Sequence, residues 1–169
     1  MKKLSVVLTL VAVFVIAFTA VFAAPVAAAG SSQTIVETAL AINADTGEFS
    51  TLIAAVVYTG LVPTLNGRGQ FTVFAPTGAA FAKLGLDAES IVTLPKGTVK
   101  NILLYHVARG ERLSGDVVCS SRIRMMNKQF TFVSLKDGGA HINDAMILAV
   151  DVPAKNGVIH VIDTVLLPK

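Results

Sequence analysis

What most constrains this chain is a change of hydrophobic period part-way along it. From Thr34 to about Asn101 the apolar residues fall mostly at helical spacing, and beyond that they alternate or run in short β-branched stretches. Side chains share a face every three or four residues in a helix and every two in a strand. Helices mainly first and strands mainly last predict an α+β domain, with the helices on one side or edge of a mostly antiparallel sheet. In the helical half, Thr34-Ile35-Val36-Glu37 forms a capping box. It starts a helix to about Ile42, with turn material from Asn43 to Gly47. Phe49, Leu52, Ile53, Val56 and Val57 then mark one face of an amphipathic helix that Gly60 is placed to end. Asn66 to Gly69 is a loop. Phe71 to Phe74 is a short strand stopped by Pro76, and Thr77 caps a helix through Phe81 and Leu84. Shorter helical pieces are expected around Asp87 to Leu94 and from Pro95 to Asn101. In the strand half, the expected strands are Ile102–Val107, Arg122–Met126, Phe130–Leu135, Met146–Val152 and Val158–Leu167. Asp137-Gly138-Gly139 is a hairpin signal, and Pro153 to Gly157 separates the last two strands. No internal repeat or low-complexity linker follows Gly30.

The segment before this domain has a different character. Met1-Lys2-Lys3 is positive, Leu4 to Phe22 carries no charge, and Ala23 to Gly30 is a run of small residues. That order is a secretory signal. Cleavage after Ala29 fits best, through Ala27 and Ala29, and cleavage after Ala23 also fits. The alternative is an uncleaved anchor, since about 20 apolar residues can span a bilayer. No Cys near the cleavage site would carry a lipid. Residues 1–29 are therefore expected to be a signal peptide and residues 30–169 a single domain, placed outside the cell, on its surface or in a periplasm. About 140 residues suffice for a real core.

Charge and cysteine content narrow the function classes. The formal net charge is +3, and removing Lys2 and Lys3 leaves +1, so charge does not argue for nucleic acid. Arg122-Ile123-Arg124 is read as a solvated strand face. The single cysteine, Cys119, leaves an exported domain without an internal disulfide and is read as a small packing residue. His106, His141 and His160 show no i, i+4 spacing. There is no Gly-x-Ser-x-Gly elbow, no Gly-rich phosphate loop and no Arg-Gly-Asp tripeptide; Asp87 and Glu89 are read as solvated charges. No catalytic residue, cofactor or metal is assigned, although His106, His160 and Asp163 are the polar groups that would have to converge to hold one.

Three blocks stand out in order. They are Phe71-Thr72-Val73-Phe74-Ala75-Pro76-Thr77-Gly78-Ala79-Ala80-Phe81, then Tyr105-His106, then the run from Asn156-Gly157 through His160 and Asp163 to Pro168. Together they resemble the fasciclin domain family, over about Thr34 to Pro168. Two departures are visible: Gly78 stands where the family usually carries Asn or Asp, and the helical stretch before Tyr105 is short. The resemblance implies a β-sandwich-like wedge edged by short helices, and adhesion or binding outside the cell to a surface or matrix protein or polymer. It implies no catalysis and no membrane contact beyond an uncleaved signal; weak self-association is open. Its motif residues here are Phe74, Pro76, Thr77, Phe81, Tyr105, His106, Gly157, His160 and Asp163, which either mark an adhesive surface or determine the fold.

Alternation decides between those two roles in the expected strands. In Ile102–Val107, His106 would share a face with Ile102 and Leu104, and Tyr105 the other with Leu103 and Val107. Both faces are apolar, so one or both residues are expected to be core residues with satisfied polar tips, His106 buried and hydrogen-bonded. His160 would lie with Val158 and Ile162, and Asp163 with Ile159 and Val161, where a carboxylate needs a partner. A turn N–H or the Thr72 or Thr77 hydroxyl is a candidate. The loops Asn66–Gln70 and Arg109–Asp116 are alternative binding surfaces. The competing function is carriage of an apolar small molecule, a lipid or pigment, in a groove formed by Met125, Met126, Phe130 and Phe132.

Overall fold

A computed structural model describes residues 31–136 and 138–168; the expected signal and its cleavage site lie outside the described residues. Helix α1 runs from Ile35 to Thr46 and opens on the expected capping box, with Thr34 accepting from Glu37 N–H and the Glu37 carboxylate accepting from Thr34 N–H at 2.7 Å. It continues past Ile42, correcting the expected turn, because Gly47 at φ +71 closes it by donating to the Asn43 carbonyl. Helix α2, Ser50–Thr59, ends as expected on Gly60 in the left-handed region. Helix α3 is the single turn Val62–Leu65. Strand β1, Phe71–Pro76, is buried throughout, and Thr77 caps helix α4, Gly78–Ala82, by accepting from Ala80 N–H. A 3₁₀ turn at Ile91–Thr93 leads to helix α5, Lys96–Tyr105.

Helix α5 corrects the expected strand at Ile102–Val107. A short apolar run has no period of its own, and Val99 and Leu103 extend a helical stripe into it, both buried. Only Val107–Arg109 is strand, β2. Helix α6, Ser114–Cys119, follows. Its buried face is Val117, so Cys119 is exposed and is not the packing residue expected. The remaining strands are β3 (Arg122–Arg124), β4 (Phe130–Lys136), β5 (Gly139–Ile142), β6 (Ala145–Ala154) and β7 (Gly157–Ile162). Strand β6 runs through Pro153 instead of stopping there. β5 pairs only with Ala145 and Met146, so Pro153 has β7 on one side and no ladder on the other that would need its missing N–H. Strand β7 ends at Ile162, short of the expected Leu167.

The seven strands form one sheet in the order β2-β1-β7-β6-β5-β4-β3. Only β1 and β7 are parallel; the other neighbours are antiparallel. The sheet curls until its two edges meet, where Ala108 bridges Met125 and Met126 N–H donates to the Val107 carbonyl at 2.8 Å. Neither edge is then a free template for pairing there. Alternation along β1 and β7 separates two cores. Val73, Ala75 and Ile159 face the helices with Phe49, Leu52, Phe81 and Leu103. Phe74 and Ile162 face the inside of the curl with Ile123, Met125, Ile142 and Ile147. The register places Val73 beside Ile159 and Phe74 beside His160, which keeps the faces consistent.

Candidate functional site

The signature residues are spread over β1, α4, the end of α5, β7 and the segment after it, and most of their polar side-chain atoms are hydrogen-bonded to backbone. Tyr105 ends α5 and His106 caps it. Successive helical residues point about 100° apart, so the pair diverges into different surroundings. Tyr105 enters the inner core, and its hydroxyl donates to the Phe130 carbonyl at 3.0 Å and accepts from Asn143 Nδ2 at 3.1 Å. His106 is 2% exposed. Leu166 N–H donates to its Nε2 at 2.9 Å, so Nδ1 carries the proton and donates to the Ile102 carbonyl at 2.8 Å. Burial pushes the imidazole down to about 4, against the raising influence of that carbonyl. The ring is neutral and ties the end of α5 to a segment 60 residues away.

His160 is held in the same manner. Asp151 N–H donates to its Nδ1 at 3.3 Å and Nε2–H donates to the Arg112 carbonyl at 2.9 Å, while the ring stacks on Phe74 at 5.5 Å. Burial lowers its pKa against the opposing pull of the Arg112 carbonyl and the Asp151 charge. Thr72 completes this anchor of the 110–114 loop, its hydroxyl donating to the Gly110 carbonyl and accepting from Arg112 N–H. Asp151 in turn accepts from Ser114 N–H at 2.7 Å, at the start of α6.

Asp163 stands just beyond β7, not within a strand face among Ile159 and Val161. Its carboxylate accepts from Met146 N–H at 2.8 Å and the Thr164 hydroxyl at 2.9 Å, and pairs with Lys83 at 3.3 Å. Partial burial pushes the carboxyl up, but these hydrogen bonds and the Lys83 charge outweigh it and hold it below the ordinary carboxylate range. Neither Thr72 nor Thr77 serves it. Gly157 needs to be glycine: at φ +147, a Cβ would overlap the Phe71 backbone. At Gly78 the Glu48 carbonyl approaches to 3.2 Å of where a Cβ would stand, so the departure from the family pattern goes with a close backbone contact. Phe74 and Phe81 are buried and Pro76 ends β1. His106, His160 and Asp163 direct these nitrogens and oxygens to separate partners, and among the described residues no three His, Cys, Asp or Glu side chains are grouped to hold a metal ion.

The accessible surface beside this lock is a groove of about 920 Å³ between the outer face of β4 and the C-terminal segment. Leu84, Phe130, Phe132 and Leu167 line it, with Phe130 42% and Phe132 62% exposed. Ser134, Lys136, Asn143 and Asp144 add polar groups, and Tyr105 touches its base. The guanidinium of Arg122 lies 4.9 Å from the Phe130 ring centre. The groove expected from Met125, Met126, Phe130 and Phe132 does not form: Met125 is buried inside the curl, in sulfur contact with Thr131, and Met126 packs against the helical core. The sequence did carry a signal for the real groove. Phe130 and Phe132 share a strand face with Ser134 and Lys136, the face alternation leaves to solvent. The 109–116 loop frames a separate polar hollow with Arg109, Arg112 and Asp116.

The Fasciclin domain family profile matches residues 47–168, and the chain belongs to the fasciclin domain family. The chain is 43% identical to Protein sll1483 of Synechocystis sp. over 144 residues, 84% of this chain and 77% of that protein. It is 33% identical to the immunogenic protein MPB70 of Mycobacterium bovis over 149 residues, 85% and 74% of the two chains. Against the transforming growth factor-beta-induced protein ig-h3 of Sus scrofa it is 38% identical over 71% of its length but spans only 18% of that protein. Among solved structures, a FAS1 domain pair from the insect cell adhesion molecule fasciclin I superposes with a TM-score of 0.65 at 21% identity. That match covers 82% of this chain and 52% of the pair, and it establishes the fold.

Proposed function

We propose that this protein is exported and works outside the cell as a non-catalytic binding or adhesion module, engaging a surface or matrix protein or polymer along the Phe130–Phe132 groove. One observation carries the reading. Two phenylalanines and two leucines stand exposed in a single groove rimmed by polar side chains, the composition of a recognition surface with aromatic anchors. The fold's relationship to a domain pair from an insect adhesion molecule supports it. The absence of catalysis is supported by the signature polar groups, whose ring nitrogens and carboxylate oxygens are spent on structural partners and are not free to move protons. Among the described residues no helix is long and apolar enough to cross a membrane.

The test immobilises the purified protein and its Phe132→Asp variant, and measures retention of envelope and extracellular material from the source organism. Phe132 is exposed, so the variant should melt within about 0.5 kcal/mol of wild type. Retention at least tenfold weaker in the variant supports the groove. Equal retention by both proteins refutes it.

A further inference from the structure

A second hollow lies on the helix-covered face of β1 and β7, beneath α1, α2 and α3. It is a cavity of about 200 Å³. Its floor is Val73 and Ala75 of β1, Ile159 of β7 and Val107 of β2, and exposed Leu40 and Val57 are among its lining residues. Natural cores leave few voids larger than a water molecule, and the lining of a void forgoes dispersion contacts. The apolar stripe of α2 is also wider than the core covers: Phe49 and Leu52 are buried, Ile53 and Val56 only partly, and Val57 is 63% exposed. The excess faces this cavity.

The lining fixes the chemistry of an occupant. It has no charged side chain and no aromatic ring other than the imidazole of His106, and both nitrogens of that ring are already engaged with the backbone of Ile102 and Leu166. A polar group placed inside would lose its water without gaining a hydrogen bond. The walls are otherwise Ile, Leu, Val and Ala. We infer that this cavity binds the hydrocarbon chain of an amphiphile, its polar head remaining in solvent at the mouth. An apolar protein cavity of about 150 Å³ takes up benzene, so this one has room for about eight chain carbons. The inference is independent of the adhesion reading, which uses a groove that shares no lining residue with this cavity.

The test titrates the purified protein with hexanoate, octanoate, decanoate and dodecanoate, each below its micelle concentration, and follows side-chain methyl resonances. Shifts should saturate at Ile35, Ile53 and Leu103. Affinity should rise about fifteenfold for each two carbons until about eight are buried, and then level off. Ala39→Phe fills the cavity and should weaken octanoate at least tenfold; should that variant fail to fold, Val57→Glu at an exposed lining position should do the same. Phe132→Asp should bind as wild type does. Phosphatidylglycerol vesicles separate the two sources of such a chain: pelleting lost on Ala39→Phe identifies a membrane acyl chain, and protein left in the supernatant identifies a free amphiphile. Affinity that does not depend on chain length, shifts confined to Phe130 and Phe132, or unchanged binding by a folded Ala39→Phe protein would overturn the inference.

Discussion

The role of His106 can be separated from that of a partner-binding residue by combining one substitution with pH. His106→Ala leaves Leu166 N–H and the Ile102 carbonyl without their present partner. A buried polar group left unpaired costs about 1–3 kcal/mol, and the vacated ring leaves a void. A loss of about 3–5 kcal/mol at pH 7.5 follows, a large share of the stability of an ordinary domain. The native pKa of about 4 lies below the ordinary value of 6.5. As pH falls below about 6.5, the unfolded chain takes up this proton while the native ring stays neutral. The stability contributed by the neutral ring is thus complete above about 6.5 and falls away towards about 4. Between pH 7.5 and 4.5 the wild type should lose roughly 2–3 kcal/mol through this group, and the variant nothing through it. His160 titrates in both proteins and drops out of the difference. Urea unfolding of the pair at the two pH values measures it. The gap between them should shrink from about 3–5 to about 1–2 kcal/mol. A gap that does not change with pH would refute the assigned hydrogen bonding, and a variant that melts like wild type but loses partner binding would refute the structural role altogether.

Three further substitutions test other joints of the fold. Gly157→Ala forces a Cβ into the Phe71 backbone at φ +147 and should cost more than about 4 kcal/mol; soluble protein with an unchanged melting midpoint would contradict the packing of β1 on β7. Asn156 accepts from Ile35 N–H at 2.9 Å and donates to the Leu65 carbonyl, joining α1 and α3 to the β6–β7 turn. Asn156→Ala should cost about 2 kcal/mol and raise amide exchange at the start of α1 above that elsewhere. Lys83→Ala should cost less than about 1 kcal/mol, as expected for an exposed ion pair. Asp163→Ala should cost more, about 1–2 kcal/mol, because Met146 N–H loses its acceptor; equal effects in thermal melts would show that the charge pair, not the hydrogen bond, matters there.

The parts of the fold legible in the sequence are those whose signals are local. The capping box at Thr34, the Thr77 cap and the glycine ending α2 each act within a few residues, and each appears as expected. The expectations that failed needed distant partners. Ile102 to Tyr105 is apolar whether helical or extended, and packing of Val99 and Leu103 against the helical core selects the helix. Helix α6 is held at its start by Asp151, which lies 37 residues away. Strand alternation predicts burial of one or both of Tyr105 and His106; both are buried, but at the end of a helix, so the inward placement holds while the strand on which it was argued does not form. The apolar cavity had a faint local sign, the over-wide stripe ending at Val57, but only the placement of α1, α3 and the sheet around it makes a hollow.

The geometry also separates what the signature specifies from what it leaves open. Tyr105, His106, His160 and Asp163 each reach a backbone partner from 17 to 60 residues away in sequence. Replacing any of them strands a polar group whose partner belongs to another element, so the four hold together the junction of α5, the two core faces and the C-terminal segment. Groups committed in this way have little left to offer a ligand. The groove at Phe130 and Phe132 and the cavity beneath α1 share no lining residue and draw mainly on residues outside that junction. Partner choice can therefore change through side chains such as Phe132 or Val57, both exposed, without disturbing that junction. Accordingly Phe132→Asp should alter binding and leave the unfolding curve in place, whereas His106→Ala should shift the unfolding curve first.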